Sequence, residues 1–116
     1  VGAFSSAAKN TMLDALTITH ASLHSADPGG TGANELTGGS PAYARLAPTF
    51  NAAASSSRAL NANLAFDVPA GSTVAYVGYW NSATWLGSDP VTNESFTGQG
   101  TYTVLASGTT LSLSDS

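Results

Sequence analysis

Residues 6–16 carry hydrophobic positions at the spacing of an α-helix. The apolar stripe consists of Ala8, Met12, Ala15 and Leu16. Ser5 or Ser6 can act as the N-cap, because a serine side-chain oxygen accepts a hydrogen bond from an unpaired amide of the first turn. This pattern predicts a short amphipathic helix over residues 6–16.

After residue 18 the pattern changes to alternation of apolar and polar positions, which is typical of strands. Residues 19–24 alternate and are stopped by the Gly- and Pro-containing turn that follows. A second strand is predicted over Tyr43 to Phe50, and Pro48, which has no amide donor, places it at an edge or at a bulge. Residues 73–81 are apolar on both faces, so we predict that this strand is central.

Further alternating segments complete the chain. One places Leu60, Ala62, Leu64 and Phe66 on a single face, and shorter ones lie around Trp85 and Leu86, at Tyr102 and Val104, and at Leu111 and Leu113. Six or seven short strands predict a mainly β fold, an antiparallel β-sandwich of jelly-roll or immunoglobulin-like arrangement with a short N-terminal helix. We expect a single domain over residues 1–116, with a helical segment at 1–16 and a long ordered loop at 27–41.

Charged residues are scarce, at 9% of the 116 residues, and the net charge is −4. The three basic residues, Lys9, Arg45 and Arg58, form no basic stripe, so we expect no binding to nucleic acid. No apolar run reaches the roughly 18 residues that a membrane span requires, so we expect no membrane association. A surface with few long charged side chains loses little entropy in contacts, which favours assembly with neighbouring proteins.

Both histidines lie between Thr19 and Arg45. On a helix, the spacing of His20 and His24 would direct both imidazoles at one metal ion. On the predicted strand they stand about 13 Å apart. We therefore expect no metal site, and we expect the histidines to form hydrogen bonds with the loop that follows.

The sequence offers few groups for catalysis. It contains no G-x-S-x-G motif, and the glycines before Ser40 lack the strand-to-helix context that exposes a nucleophile. Among the acidic residues, Asp67, Asp89 and Glu94 are candidates, but Asp67 and Asp89 lie near turns, where carboxylates commonly bond the backbone. We predict no enzymatic activity, no catalytic residues and no cofactor.

Aromatic residues are concentrated between residues 76 and 85. Tyr79, Trp80 and Trp85 are candidates for a platform that stacks sugar rings, so a carbohydrate-binding module is an alternative function. Alternation also places Tyr76 and Trp80 on one face of the central strand, where aromatic residues more often belong to the core. Core packing is therefore the favoured interpretation.

Several segments together resemble a known protein family. They are AAKNTMLDAL, ITHASLH, ADPGGTGANEL, GGSPAYAR, FDVPAGSTVAYVGYWNSAT, WLGSDPVT and GQGTYTV. In combination they resemble small virion-associated proteins of tailed bacteriophages, especially those that infect actinobacteria, which are described as tail-fibre or minor tail proteins. The similarity spans Ala7 to Leu113 and brings no catalytic residues with it.

The resemblance implies a structural virion protein of the tail or fibre that contacts other virion proteins and forms a homo-oligomer. The alternatives are a capsid decoration protein, which would stabilise the head shell, and a module for host-surface glycans. In the virion, the 27–41 loop is expected to form an interface. The residues expected at this interface, in the loop and just after it, are Asp27, Asn34, Glu35, Tyr43 and Arg45. We expect Arg45 to pair with Glu35 or Asp27, and Glu35→Ala or Arg45→Ala to weaken assembly.

Overall fold

The computed structural model describes residues 5–55, 57–106 and 109–112. The protein is mainly β, with antiparallel strand pairs and one short N-terminal helix, which confirms the predicted β-sandwich-like fold class. The elements are α1 (Ser6–Ala15), β1 (His20–His24), β2 (Ser57–Ala59), β3 (Leu64–Val68), β4 (Ser72–Asn81), β5 (Thr84–Phe96), β6 (Gly100–Val104) and β7 (Thr110–Ser112).

The chain is divided into two compact units, which we describe one at a time. The helical unit comprises residues 1–17, 49–64 and 104–116, and the sheet unit comprises residues 18–48 and 65–103. That residues 1–116 form a single domain stays a prediction.

In the helical unit, α1 begins close to the predicted position. Ser5 is the N-cap, and its side-chain oxygen accepts a hydrogen bond from the amide of Ala8 at 3.1 Å. The buried residue of α1 is Leu13, whereas Met12 and Leu16, which belong to the apolar stripe, are 40% and 37% exposed. The next side chain attaches the helix to another part of the same unit, because the Asp14 carboxylate accepts a hydrogen bond from the amide of Ala53 at 2.8 Å.

The helical unit also contains a strand pair that the hydrophobic pattern did not predict in full. β2 pairs with β7 in antiparallel fashion. The last predicted strand is thereby confirmed over Thr110–Ser112, while Leu113 lies outside the described residues. β2, with the sequence SRA, contains too few apolar positions to show any period.

In the sheet unit, β4 is the central strand of a three-stranded sheet with the order β1-β4-β5, as predicted. Its buried residues lie on both faces and are Val74, Ala75, Val77, Gly78, Tyr79 and Trp80. β1 pairs with β4 so that His20 faces Trp80 and His24 faces Tyr76. A second pair, β3 and β6, forms a two-stranded sheet. It buries Phe66 and Val68 of β3.

Three predicted strands differ from the structure. Residues 43–50 form no regular strand, and Pro48, which has no amide donor, lies between the isolated bridges at Leu46 and Phe50. The segment makes isolated bridges instead, among them Leu46 with Ala21. The predicted strand over residues 60–67 is regular only from Leu64, since Ala62 lies in a bend and is exposed.

The third difference is the length of β5, which extends from Thr84 to Phe96 rather than covering a short segment around Trp85 and Leu86. Pro90 is compatible with this strand because β5 lies at the edge of its sheet. The pairing with β4 shifts register twice, between Val74 and Tyr76 and between Tyr79 and Trp80. These irregularities break the alternation of residue types on which the prediction depended.

Candidate functional site

The 27–41 loop lies along the edge of β1 that faces away from β4. The amide of Ser25 donates to the carbonyl of Asn34 at 2.9 Å, and the amide of Leu36 donates to the carbonyl of Leu23 at 3.1 Å. Leu36 is buried and provides the apolar attachment of the loop. The edge of β1 is therefore paired with the loop, although the loop contains neither a helix nor a regular strand.

Local hydrogen bonds fix the first half of the loop. The Asp27 carboxylate accepts from the amide of Gly29 at 2.9 Å, and the Asn34 side chain donates to the carbonyl of Asp27 at 3.1 Å. Asn34 adopts a positive φ of 65°, a conformation that asparagine tolerates better than most residues. Asp27 and Asn34, both predicted interface residues, thus use polar atoms to shape the loop.

Glu35 connects the loop to the segment that follows it. One carboxylate oxygen accepts from the hydroxyl of Tyr43 at 2.8 Å and from Nε of Arg45 at 2.9 Å, and the other accepts from Nη2 of Arg45 at 2.8 Å. The Tyr43 hydroxyl also accepts from the amide of Leu23 in β1 at 2.9 Å. The expected pairing of Arg45 is confirmed with Glu35 as its partner. We call these three side chains the Glu35 clamp.

The electrostatics of the clamp favour the ionised pair. Burial raises the pKa of Glu35, but the hydrogen bonds from Arg45 and Tyr43 outweigh it and hold the pKa below its ordinary value of 4.5. The hydrogen bond to Glu35 raises the pKa of Arg45. Burial raises the pKa of the Tyr43 phenol. The clamp is therefore ionised and acts as a hydrogen-bonding unit near neutral pH.

The predicted aromatic platform lies beside the loop, and its three members differ in exposure. Tyr79 and Trp80 are 5% and 7% exposed, and Trp85 is partly exposed. The Tyr79 hydroxyl donates to Asp89 at 3.1 Å, and Nε1 of Trp85 donates to the carbonyl of Gly29 at 3.2 Å. Tyr79 and Trp80 are placed as core residues, and glycan binding stays a prediction.

Trp80 and Trp85 pack against the 27–41 loop. The rings of Trp80 and Trp85 meet edge to face with centroids 5.0 Å apart, and the Arg45 guanidinium lies 3.8 Å from the centroid of Trp80. A Cβ atom on Gly32 would lie 2.7 Å from the Trp80 ring, and its φ is +78°. Only glycine therefore fits at position 32, a requirement that the sequence pattern did not reveal.

The two histidines of β1 have different surroundings. His24 is fully buried, and its Nδ1 lies 2.7 Å from the carbonyl of Ala33 in the loop. This contact confirms for His24 the predicted hydrogen bond to the following loop. His20 instead lies 2.9 Å from the hydroxyl of its neighbour Thr19.

Ser22 was missed as a partner of His24 at the sequence level. Its hydroxyl lies 2.7 Å from Nε2 of His24, a distance that suits a nucleophile and its base. Both side chains have 0% exposure, so a substrate cannot reach them in this conformation. Their i, i+2 spacing on one face of a strand was the available sequence feature.

Two other features are absent from the part of the chain that the structure describes. Among residues 5–55, 57–106 and 109–112, no three His, Cys, Asp or Glu side chains are arranged to hold a metal ion. In the same part of the chain, no helix is long and apolar enough to cross a membrane.

Comparison with known protein families gives one match. The family model described as "Podophage GP4 fiber I protein gp80" matches residues 3–110. The chain belongs to this family. Neither the curated proteins nor the solved structures yield a match.

Membership of the podophage fibre family confirms the resemblance to tail-fibre proteins of tailed phages and places the protein in the tail or fibre of the virion. The family description names no bacterial host, so the actinobacterial part of the resemblance stays a prediction. The fibre family supports a structural role, and it favours the tail or fibre over the capsid as the location of this protein.

Proposed function

We propose that this fibre-family protein is a non-enzymatic structural component that contacts other virion proteins through its 27–41 loop. The observation that carries this proposal is the Glu35 clamp. It fixes the 27–41 loop, which has no regular secondary structure, to β1 through the bond between the Tyr43 hydroxyl and the amide of Leu23. A loop that is already ordered loses little conformational entropy when a partner binds.

The chemistry of the loop surface supports an interface as well. The carboxylates of Asp27 and Glu35 and the side chain of Asn34 have hydrogen-bond partners within the protein. Small residues, including Thr31, Ala33 and Thr37, are left exposed. Such a surface lets a partner backbone approach closely and requires few charges to be desolvated. The proposal includes contacts between copies of the chain, which would make the protein a homo-oligomer.

Incorporation of variants into phage particles tests the proposal. Thr31→Arg places a long charged side chain on the exposed loop without touching the clamp, and Glu35→Ala removes the clamp itself. We expect both variants to fold, as judged by circular dichroism, and to enter particles at least several-fold less efficiently than the wild type. Asn93→Arg, at an exposed position of β5, is the matched control and should be incorporated normally.

Normal incorporation of both loop variants would contradict the assignment of the interface to this loop. Equal loss for Thr31→Arg and the Asn93→Arg control would also contradict it, because a general effect of added charge would then explain the result.

A further inference from the structure

A buried chain of hydrogen bonds links the sheet to the 27–41 loop through His24. Nε1 of Trp80 donates to the Ser22 hydroxyl at 2.8 Å, and that hydroxyl lies 2.7 Å from Nε2 of His24. On the other side of the ring, Nδ1 of His24 lies 2.7 Å from the carbonyl of Ala33. Three elements, β4, β1 and the loop, are thus joined by one imidazole.

The partners determine which nitrogen of His24 carries the proton. A carbonyl oxygen only accepts, so Nδ1 must donate to Ala33. In the neutral ring Nε2 is then unprotonated and accepts from the Ser22 hydroxyl, which itself accepts from Nε1 of Trp80, an atom that only donates. The chain is complete only when His24 is neutral and Nε2 is unprotonated.

The surroundings of these two side chains are closely packed. Ser22 and His24 are both fully buried. A Cβ atom on Gly78 would lie 2.6 Å from Nε2 of His24 and 2.7 Å from the Ser22 hydroxyl. The ring of Trp85 also packs against the imidazole, with its centroid 5.3 Å from that of His24. Water therefore has no access to a protonated Nε2 in the closed structure.

We propose that His24 is an acid-sensitive latch for the 27–41 loop: protonation of Nε2 breaks the bond from Ser22 and leaves the closed site with an imidazolium whose Nε2 proton has no acceptor, so it favours the open loop even though the bond from Nδ1 to Ala33 is kept in the closed form. A protonated Nε2 would need an acceptor. The Ser22 hydroxyl oxygen could accept this hydrogen bond only if its own proton turned away from Nε2 and into the packed interior. Opening of the loop gives the imidazolium access to water instead.

The charged and titratable groups around His24 have opposite effects on its pKa. Glu35, from the loop, favours the imidazolium, and Arg45, from the following segment, disfavours it. Tyr43 hydrogen-bonds to Glu35, and Tyr76 of β4 is paired in register with His24. Burial is the largest effect, and it lowers the pKa of His24 below its ordinary value of 6.5 despite the bond to Ala33.

The direction of the response follows from linkage. The closed loop disfavours the protonated ring, so closure is fully stable above pH 6.5 and weakens as the pH falls below that value. Opening binds one proton, so the opening equilibrium should rise by up to about tenfold for each pH unit until the closed form itself titrates. Glu35 titrates below 4.5, in a lower pH window.

Because the 27–41 loop is the proposed assembly surface, the regulatory meaning of the latch rests on that proposed function. An acid environment would then loosen the surface through which this protein contacts other virion proteins. The loop release itself is a property of the isolated protein and can be measured without any partner.

Hydrogen exchange of the purified protein tests the latch. Protection factors of the amides of Ser25, Gly32, Ala33 and Leu36, all of which bond within or to the loop, are compared between about pH 7.5 and about pH 5.5. We expect them to fall up to about tenfold per pH unit below 6.5. The amide of Gly71, which bonds to Phe96 away from the loop, should change less.

Two variants separate His24 from the other histidine. His24→Gln should remove the pH dependence of loop protection in this window, and His20→Gln should retain it. Loop protection that is flat in the wild type would overturn the proposal, and so would an undiminished pH response in His24→Gln.

If His24→Gln does not fold, the imidazole resonances of His24 in the wild-type protein test the proposal instead. The proposal requires a neutral ring with the proton on Nδ1 near pH 7.5, and a titration that coincides with the change at the loop amides. The opposite tautomer, or a titration of His24 without any loop change, would overturn it. Normal incorporation of both Thr31→Arg and Glu35→Ala into particles would overturn the proposed interface and leave this result intact.

Discussion

At the scale of single residues, the side chains around His24 in the sheet unit are closely packed. The space above Gly78 is already occupied by His24, Ser22 and Trp85. Gly78 has no unusual φ, so the constraint on this position is one of volume and not of backbone conformation. Substitutions at this glycine therefore measure how tightly the buried hydrogen-bond chain is packed.

The Gly78→Ala variant should be destabilised by about 1–3 kcal/mol, because the added methyl group overpacks a site with no free volume. Chemical denaturation measures the change. Gly87→Ala is the matched control, since Gly87 lies in the neighbouring strand β5 with nothing within 4 Å of an added Cβ atom. An equal effect of both substitutions would show that space near His24 is not limiting.

The ionised carboxylate of Glu35 should make the free energy of unfolding depend on pH. Its pKa is lowered in the folded protein, so its contribution is present above pH 4.5 and is lost as the pH falls through the lowered value. The Glu35→Gln variant should be about 1–2 kcal/mol less stable than the wild type near neutral pH, and this deficit should shrink towards acid pH.

Denaturation of the Glu35→Gln variant and the wild type at a series of pH values gives this comparison. Asp67→Asn, at an exposed position, is the control and should show a smaller change. A deficit for Glu35→Gln that is the same near neutral pH and below pH 4.5 would contradict an ionised clamp.

The sequence allowed the Glu35–Arg45 pair to be predicted because the chain has so few charges that Arg45 had only two acidic neighbours along the loop. The Ser22–His24–Ala33 chain could not be predicted in the same way. Its geometry depends on the course of the loop over β1, and alternation along a strand carries no information about that course.

At the scale of secondary-structure elements, a single arginine secures the C-terminal end of α1. Nη1 of Arg58 donates to the carbonyls of Leu13 and Leu16, each at 3.1 Å, and Nε donates to the carbonyl of Asn51 at 3.1 Å. The cation binds carbonyls at the C-terminal end of the helix, of which that of Leu13 also accepts from the amide of Leu16, and it opposes the negative end of the helix dipole.

The Arg58→Lys variant should lose helical signal at 222 nm and about 1 kcal/mol of stability, because a lysine ammonium cannot reproduce the planar set of three hydrogen bonds. Arg45→Lys is the control, since Arg45 lies in the sheet unit and should leave the signal of α1 unchanged. Unaltered helicity in Arg58→Lys would contradict the assigned role.

Elements were predicted well where the pattern of residue types was regular. β4 is apolar on both faces and is central, as this pattern indicates. β5 was predicted too short because its sequence combines Pro90, polar residues and two register shifts, all of which hide a strand in the one-dimensional pattern. The strand predicted at 43–50 was wrong. Apolar and polar residues alternate in this segment, but Pro48 has no amide to donate, so the hydrogen-bond ladder is not continuous.

At the scale of the whole molecule, the net charge is distributed unevenly. Among the described residues, the helical unit contains Lys9, Arg58 and Asp14, which gives 2 − 1 = +1, and the sheet unit contains Arg45 and five acidic residues, which gives 1 − 5 = −4. The unit that presents the 27–41 loop thus carries the negative charge, and its single basic residue is engaged with Glu35. A partner surface with basic residues would complement it.

Membership of the fibre family and the clamped loop together support a structural fibre protein that assembles through protein contacts. Its copy number in purified phage particles, measured by quantitative mass spectrometry against the major capsid protein, distinguishes this role from the alternatives. We predict a few copies per particle, in keeping with the symmetry of a tail or fibre. Hundreds of copies would show a protein of the capsid shell, and absence from the particle would show that it is not a structural component of the virion.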